Sequence, residues 1–365
     1  MSLKKDKFQL SEKKIMNFAV KLAENNKYLT GTNPSVGCVI VKKNKILSFA
    51  TTNNGGRPHA ESIALGKNID NKGTTLYSTL EPCSHHGLTP PCTNTIIKNM
   101  VKKVYYSVED KDLRTFNKTK RILKSKNIIV KTGLQKRNVY NLYKEYNFIR
   151  SNNAPYIIGK IASSSNLYIL RNNSPITNQH SRSVSHLLRS QNHAILTSYK
   201  TINTDNPKLN CRLNGLEKFS PVVVVVDKNL KIKVNSFVIK NSKKTKLIIF
   251  HSSTNISKIK LLRKLGVKLI YQKNENNMYL NLKKITQNLY KLNIHRILVE
   301  SGRSLMTSFL NEKLLNEFYF FKSDKIISNK HKINISSLIK RIKNNYKNKK
   351  KINTYLGNDT LTHYY

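Results

Sequence analysis

One continuous apolar run, residues 36–41 (VGCVIV), constrains this chain more than any other feature. A strand whose successive side chains are all apolar is buried on both faces, so its sheet needs a layer above and a layer below. Helical patterns supply those layers. Ile15, Phe18, Ala19, Leu22 and Ala23 recur at helical spacing and predict an amphipathic helix. Residues 75–80 and 103–108 read as further strands, with a helix over about 93–100 between them. Such alternation gives an α/β fold around a central sheet.

The pattern pauses at residues 151–155 (SNNAP), a polar stretch ending in proline that reads as a linker. It then restarts. Strands are expected at 156–161, 194–197, 221–227, 246–250, 267–271 and 297–300, and helices at 181–189, 259–265 and 282–292. At 365 residues two domains are expected, with bounds of 1–150 and 155–365. The Lys/Asn/Ile-rich tail from Lys330 to Lys351 has no clear pattern, and 353–364 could add a final strand.

The formal charge of +47 raises the possibility of a nucleic-acid partner. The basic residues are dispersed, however, and Lys, Asn and Ile are abundant throughout, which reads as compositional bias. No nucleic-acid partner is expected, although a positive field would draw in an anionic substrate. No apolar run approaches the ~20 residues of a membrane span, and residues 1–18 show no signal-peptide pattern. A cytoplasmic protein without a membrane partner is the expectation. Four cysteines are too few for a disulfide scaffold. Cys38 falls in mid-strand as a core residue, and Cys211 shows no partner.

Chemistry concentrates in three short stretches: Pro58-His59-Ala60-Glu61, Glu81-Pro82-Cys83 and Pro90-Pro91-Cys92. One imidazole and two thiolates are the donor set of a catalytic zinc that keeps a fourth position open for water. Zinc lowers the pKa of that water. Glu61, two residues after His59, can move protons without binding the metal. His-x-Glu with Pro-Cys-x-x-Cys marks zinc nucleobase deaminases, but here eight residues separate Cys83 from Cys92. His85 and His86, within that interval, are alternative ligands or line a substrate loop.

Asn33-Pro34-Ser35-Val36-Gly37, His59-Ala60-Glu61 and the stretch 80–92 (LEPCSHHGLTPPC) resemble the bifunctional deaminase/reductase family of riboflavin biosynthesis. The long interval between the cysteines is particular to that branch and counts against an RNA substrate. The resemblance implies a cytidine-deaminase-like α/β/α domain followed by a dihydrofolate-reductase-like α/β domain. It implies hydrolytic deamination of 2,5-diamino-6-ribosylamino-4(3H)-pyrimidinone 5′-phosphate, then NADPH reduction of the ribosylamino group to ribitylamino. One Zn2+ per chain falls to His59, Cys83 and Cys92, with Glu61 as proton shuttle and Asn33 touching substrate. A small phosphorylated pyrimidine is the expected partner, in a homo-oligomer.

In the second domain Pro155-Tyr156 with Lys160, residues 190–212, and Val299-Glu300-Ser301-Gly302 carry the likeness. By that likeness Ala162, Thr201, Asp205 and Gly302 fall on cofactor positions. Lys160, Ser174, Arg189, Leu209, Arg212 and Glu300 fall on substrate positions. The chain departs from the family at Asn166, Leu167 and Tyr168, where Asp, Gly and Arg are usual, in the shortened segment 172–177, and in lacking Trp. Lys228 and Arg303 are further departures. Two readings follow: a working reductase, favoured by the intact 201–212 segment and Glu300, or a deaminase with a decayed second domain.

Overall fold

The computed structural model describes residues 11–170, 175–273, 279–328 and 332–365. The chain forms two compact units, Met1–Asn153 and Ala154–Tyr365. Residue 153 ends the first because α-helix persists through Ser151 and Asn152, and Asn153 takes φ 49°. Asparagine tolerates that left-handed conformation and so terminates the helix. The linker is therefore shorter than the polar stretch suggests.

In the first unit five strands form one sheet: β1 (Gly37–Lys42), β2 (Lys45–Thr51), β3 (Thr75–Leu80), β4 (Lys103–Val108) and β5 (Ile129–Thr132). Their order is β2-β1-β3-β4-β5. β1 runs antiparallel to β2 and β3, whereas β3, β4 and β5 are parallel. The helices are α1 (Glu12–Asn25), α2 (Ala60–Leu65), α3 (Cys92–Lys98), α4 (Thr119–Lys124), α5 (Lys136–Leu142) and α6 (Lys144–Asn152). The apolar run of β1 is explained by its two faces. Val39 and Val41 pack with Ile15, Met16 and Ala19 of α1, while Cys38 and Ile40 pack with Ala60 and Ala64 of α2 and Ile96 of α3. Helix α1 lies so close that a Cβ on Gly37 would come within 1.9 Å of the Ala19 carbonyl oxygen. Only glycine fits there.

The second unit is built on β6 (Tyr156–Ser163), β7 (Tyr168–Leu170), β8 (Ala194–Ser198), β9 (Val222–Val226), β10 (Leu247–His251), β11 (Lys268–Tyr271), β12 (Arg296–Glu300), β13 (Glu317–Lys322), β14 (Lys332–Asn334), β15 (Lys349–Lys351) and β16 (Thr360–Tyr364). Nine of them form a sheet in the order β11-β10-β9-β8-β12-β6-β13-β16-β15. All neighbours from β11 to β13 are parallel, and β16 and β15 close the sheet antiparallel. β7 and β14 pair separately. Helices α7 (Gln179–Ser190), α8 (Tyr199–Asp205), α9 (Phe237–Lys240), α10 (Ser242–Thr245), α11 (Ile256–Lys264), α12 (Leu282–Lys291), α13 (Arg303–Asn311) and α14 (Ser336–Asn345) complete the unit. Val223 and Val225 meet Leu262 of α11 on one face of the sheet. Val224 lies in the opposite core with Ile285 of α12 and Phe309 of α13. The described part of the lysine-rich tail is thus ordered, because Leu338, Ile339 and Ile342 of α14 give it an apolar face.

The chain enters the sheet at β6, walks outward from β8 to β11, and returns at β12 between β8 and β6. In open parallel sheets such a reversal leaves a crevice at the carboxyl ends of the strands, which is where ligands bind.

Candidate functional site

In the first unit the carboxyl ends of β3 and β4 and the start of α2 converge on one cavity of about 60 Å³. His59 is the N-cap residue of α2, Cys83 lies three residues beyond β3, and Cys92 opens α3. Their donor atoms all lie within 4.8 Å of one another. His59 Nδ1 is 3.3 Å from Cys92 Sγ and 3.5 Å from Cys83 Sγ. A tetrahedral zinc with ordinary Zn–N and Zn–S bonds sets N···S edges of about 3.5 Å. The three residues therefore fit the metal in both donor chemistry and spacing. The Cys92 backbone N–H donates to Cys83 Sγ at 3.2 Å. The Cys83 thiol is held down to about 4, first by the hydrogen bond from Cys92 and then, against burial, by His59, while Cys92 is pushed up.

Glu61 sits in the first turn of α2, only 3% exposed. Its Oε1 accepts from Ser78 Oγ at 3.0 Å, and Oε2 accepts from Cys92 Sγ at 3.6 Å. Burial raises its carboxyl above the ordinary value despite the nearby His59. Asn33 lines the same cavity and donates to the Gly56 carbonyl at 2.9 Å. His85 also lines it, bonded to Thr115 Oγ1 at 2.9 Å. Among the described residues His59, Cys83 and Cys92 are the group that could hold a metal ion.

Part of this wall escaped the motifs. Asp110, Asp112 and Arg114 follow β4, and Tyr146 and Arg150 stand one turn apart on α6. The charged run after a parallel strand was the available signal, because such ends carry sites. Glu81 secures the segment: its oxygens accept from the backbone N–H groups of Asp110, Asn117 and Thr119, each at 3.2 Å.

Burial pushes the Asp110 carboxyl up from 3.8 to about 6, although the Asp112 N–H and the Tyr146 hydroxyl both donate to it. Between those pH values the folded chain keeps a proton that the unfolded chain has lost, so stability falls as pH rises through this window. Asparagine would keep the accepting oxygen and remove the charge. Asp110→Asn is expected to be more stable than the parent at pH 8, by up to about 3 kcal/mol, and equal to it near pH 4. Urea denaturation at the two pH values checks this, and no gain at pH 8 refutes it.

In the second unit Lys160, within β6, and Glu300, at the carboxyl end of β12, are cross-strand neighbours. Arg189 of α7 reaches Glu300 with two bonds of 2.9 Å, and Lys160 Nζ stands 3.7 Å from the same carboxylate. Burial alone would raise Glu300, but Arg189 and Lys160 outweigh it and hold the carboxyl at about 2. Burial pulls Lys160 below its ordinary value. Arg189 Nη1 also donates to the Asn210 carbonyl, and Arg212 Nη1 donates to Asn210 Oδ1. Asn210 thus ties the two arginines together, a role no motif disclosed. His186 bonds the same carbonyl at 3.1 Å.

Of the positions expected to meet a cofactor, Thr201 and Asp205 lie on α8 directly after β8, Ala162 lies near the end of β6, and Gly302 caps α13. Gly302 brings no side chain to the free N–H groups of the nine-residue α13, and a Cβ there would meet nothing within 4 Å. Asp205 Oδ1 and Thr197 Oγ1 are buried without partners. Open space before the α13 N-terminus suits a dinucleotide phosphate, and the orphaned Thr197 hydroxyl and Asp205 carboxylate suit hydrogen-bonding groups elsewhere on a cofactor. Leu209 is 3% exposed and packs into the core with Ile195 and Ile202. Ser174 lies outside the described residues.

The departures at 166–168 keep the turn. Leu167 takes φ 60°, a strained value for leucine. Asn166 fastens that turn to Ile327, donating from Nδ2 to its carbonyl at 3.0 Å and accepting from its N–H at 3.2 Å.

A zinc-donor cavity on one α/β unit and a largely parallel sheet in the other fit a bifunctional deaminase–reductase. Residues 10–108 match the cytidine and deoxycytidylate deaminase zinc-binding region, and residues 155–341 match the RibD C-terminal domain. The chain belongs to the RibD family of riboflavin biosynthesis, whose members join a zinc-binding deaminase to an NADPH-dependent reductase. It is 33% identical to riboflavin biosynthesis protein RibD of Aquifex aeolicus over 96% of this chain and 97% of that one. Identity to the Escherichia coli protein of the same name is 30%, over 85% and 86%. The structure resembles Acinetobacter baumannii RibD with a TM-score of 0.82 at 26% identity, covering 96% and 98% of the two chains. It also resembles a Thermotoga maritima diaminohydroxyphosphoribosylaminopyrimidine deaminase/5-amino-6-(5-phosphoribosylamino)uracil reductase, with a TM-score of 0.78, 26% identity and 96% and 97% coverage.

Proposed function

We propose that residues 1–150 deaminate 2,5-diamino-6-ribosylamino-4(3H)-pyrimidinone 5′-phosphate, with His59, Cys83 and Cys92 holding zinc and Glu61 moving protons. The spacing of the three donor atoms, with the Glu61 carboxylate beside Cys92, carries this reading. Bound zinc lowers the pKa of a water to about 7. Glu61 accepts a proton from the attacking water and passes protons to the ring nitrogen and the departing amine, so water and the C2 amine become a carbonyl and ammonia. Ser78 fixes one carboxylate oxygen, and the other lies beside Cys92 in the donor cluster. Asn33 holds the ring.

Residues 155–365 then reduce the ribosylamino group to ribitylamino. NADPH supplies the hydride when bound. Thr201, Asp205, Ala162 and Gly302 hold the cofactor, and Lys160, Arg189, Arg212 and Glu300 hold the substrate at the carboxyl end of β12. The retained turn at Asn166 supports a working reductase despite Leu167. Among the described residues no helix is long and apolar enough to cross a membrane. The four free cysteines suit a reducing cytoplasm, where the enzyme acts as a homo-oligomer.

One incubation of zinc-loaded protein with the diaminopyrimidinone ribosyl phosphate, with and without NADPH, tests both halves by mass spectrometry. Deaminated product without NADPH and a further reduced product with it are expected. Deaminated product in both tubes would leave a deaminase alone. No reaction in either would remove the reading.

A further inference from the structure

Three guanidiniums line the deaminase cavity, and two are already paired. Arg114 makes bonds of 2.9 and 2.6 Å to Asp112, and Arg150 stands 3.9 Å from the same carboxylate. The other acids in the wall have their own partners: Glu81 has backbone N–H groups, Asp110 has Tyr146, and Glu61 has Ser78. Arg57 has no carboxylate within ion-pair distance among the described residues.

Arg57 is nonetheless held in place. Its Nη1 donates to the neutral Thr89 hydroxyl. Its Nη2 lies against Gly87, where an added Cβ would come within 3.2 Å. The segment between Cys83 and Cys92 contains no Lys or Arg of its own, and Leu88 at its tip is exposed. The cation on this loop is therefore brought in from residue 57. A partly buried charge left unpaired is costly, so a positioned and unpaired guanidinium on a cavity wall marks a place for an anion. Its planar fork matches phosphate oxygens two at a time.

We propose that Arg57, seated on Gly87 and Thr89, binds the 5′-phosphate of the pyrimidine substrate in the deaminase cavity and selects the phosphorylated over the unphosphorylated riboside. The assignment rests on the deaminase reading above. It makes Arg57 a specificity residue with a role separate from the proton chemistry of Glu61.

The test compares ammonia release from the ribosyl phosphate and from its dephosphorylated riboside, in the parent chain, Arg57→Ala and Arg57→Lys. The parent is expected to favour the phosphate in kcat/KM by about 10- to 100-fold, the range of a charged hydrogen bond. Arg57→Ala is expected to lose most of that preference through KM, and Arg57→Lys to recover part of it. An equal loss on both compounds, or a parent without preference, overturns the assignment. If Arg57→Ala fails to fold or to retain zinc, inorganic phosphate decides on the parent chain. Competitive inhibition of riboside turnover is expected, and its absence overturns the assignment. A parent that converts neither compound removes the deaminase reading first, and this assignment with it.

Discussion

Glu61→Gln is expected to release ammonia about 10³-fold more slowly than the parent while binding zinc to the same extent, because a lost general acid–base group costs about 10²- to 10⁴-fold. The amide has the same shape and keeps an oxygen for the Ser78 hydroxyl, now 3.0 Å from Oε1. What it loses is the ability to take a proton. Glu61 is buried, so no bulk buffer can replace it readily. Thermal stability should not fall, since burial already disfavours the charged carboxylate that the substitution removes. Ammonia release and metal content, measured on one preparation, check the prediction. Turnover within tenfold of the parent would mean that another group carries the proton.

Arg189→Ala acts through a different balance and in the other unit. It leaves Glu300 facing only Lys160, 3.7 Å away, in a site where both acid and base are buried. Breaking a buried ion pair by removing one partner costs about 3–5 kcal/mol. For a unit of this size that is roughly 10 °C in melting temperature. Reduction should fail, and ammonia release should survive because the deaminase cavity lies wholly within the first unit. The pH dependence has a definite sign. Glu300 is depressed from 4.5 to about 2 in the folded chain, so its stabilisation is complete above 4.5 and disappears as pH falls through 2. The gap between parent and variant should narrow in acid. Calorimetry across pH, with both activities assayed, tests this, and an unshifted melting temperature at pH 7 would sink it.

The two variants separate the halves of the enzyme: one removes chemistry at little cost in stability, the other removes stability and a second chemistry together. Their contrast reflects the sites themselves. Glu61 is a single carboxyl held by a serine, whereas Glu300 is the anion that two buried cations share.

Much of this was legible in the sequence. The β1 run announced a strand covered on both faces, and residues 75–80 and 103–108 coincide with β3 and β4. His59, Glu61, Cys83 and Cys92 stood out as candidates because short motifs are local, and the fold then brings His59, Cys83 and Cys92 within 4.8 Å of one another. β2 was not readable: its edge position exposes Ile46, Leu47 and Phe49 and blurs the alternation. The tail was obscured by lysines, which α14 and β15 carry on exposed surface while three apolar residues reach the core.

Sequence by itself determined the layer architecture and the donor set, because period-two and 3.6-residue patterns and short motifs are local properties. Tertiary structure alone decided which charges remain available. Asp112 takes Arg114 and Arg150, Glu81 is filled by backbone N–H groups, and Arg189 and Lys160 close on Glu300. Those pairings join residues as much as 140 positions apart, as with Lys160 and Glu300. No spacing rule reaches that far, and an ion pair depends on the distance between charges in space, not along the chain.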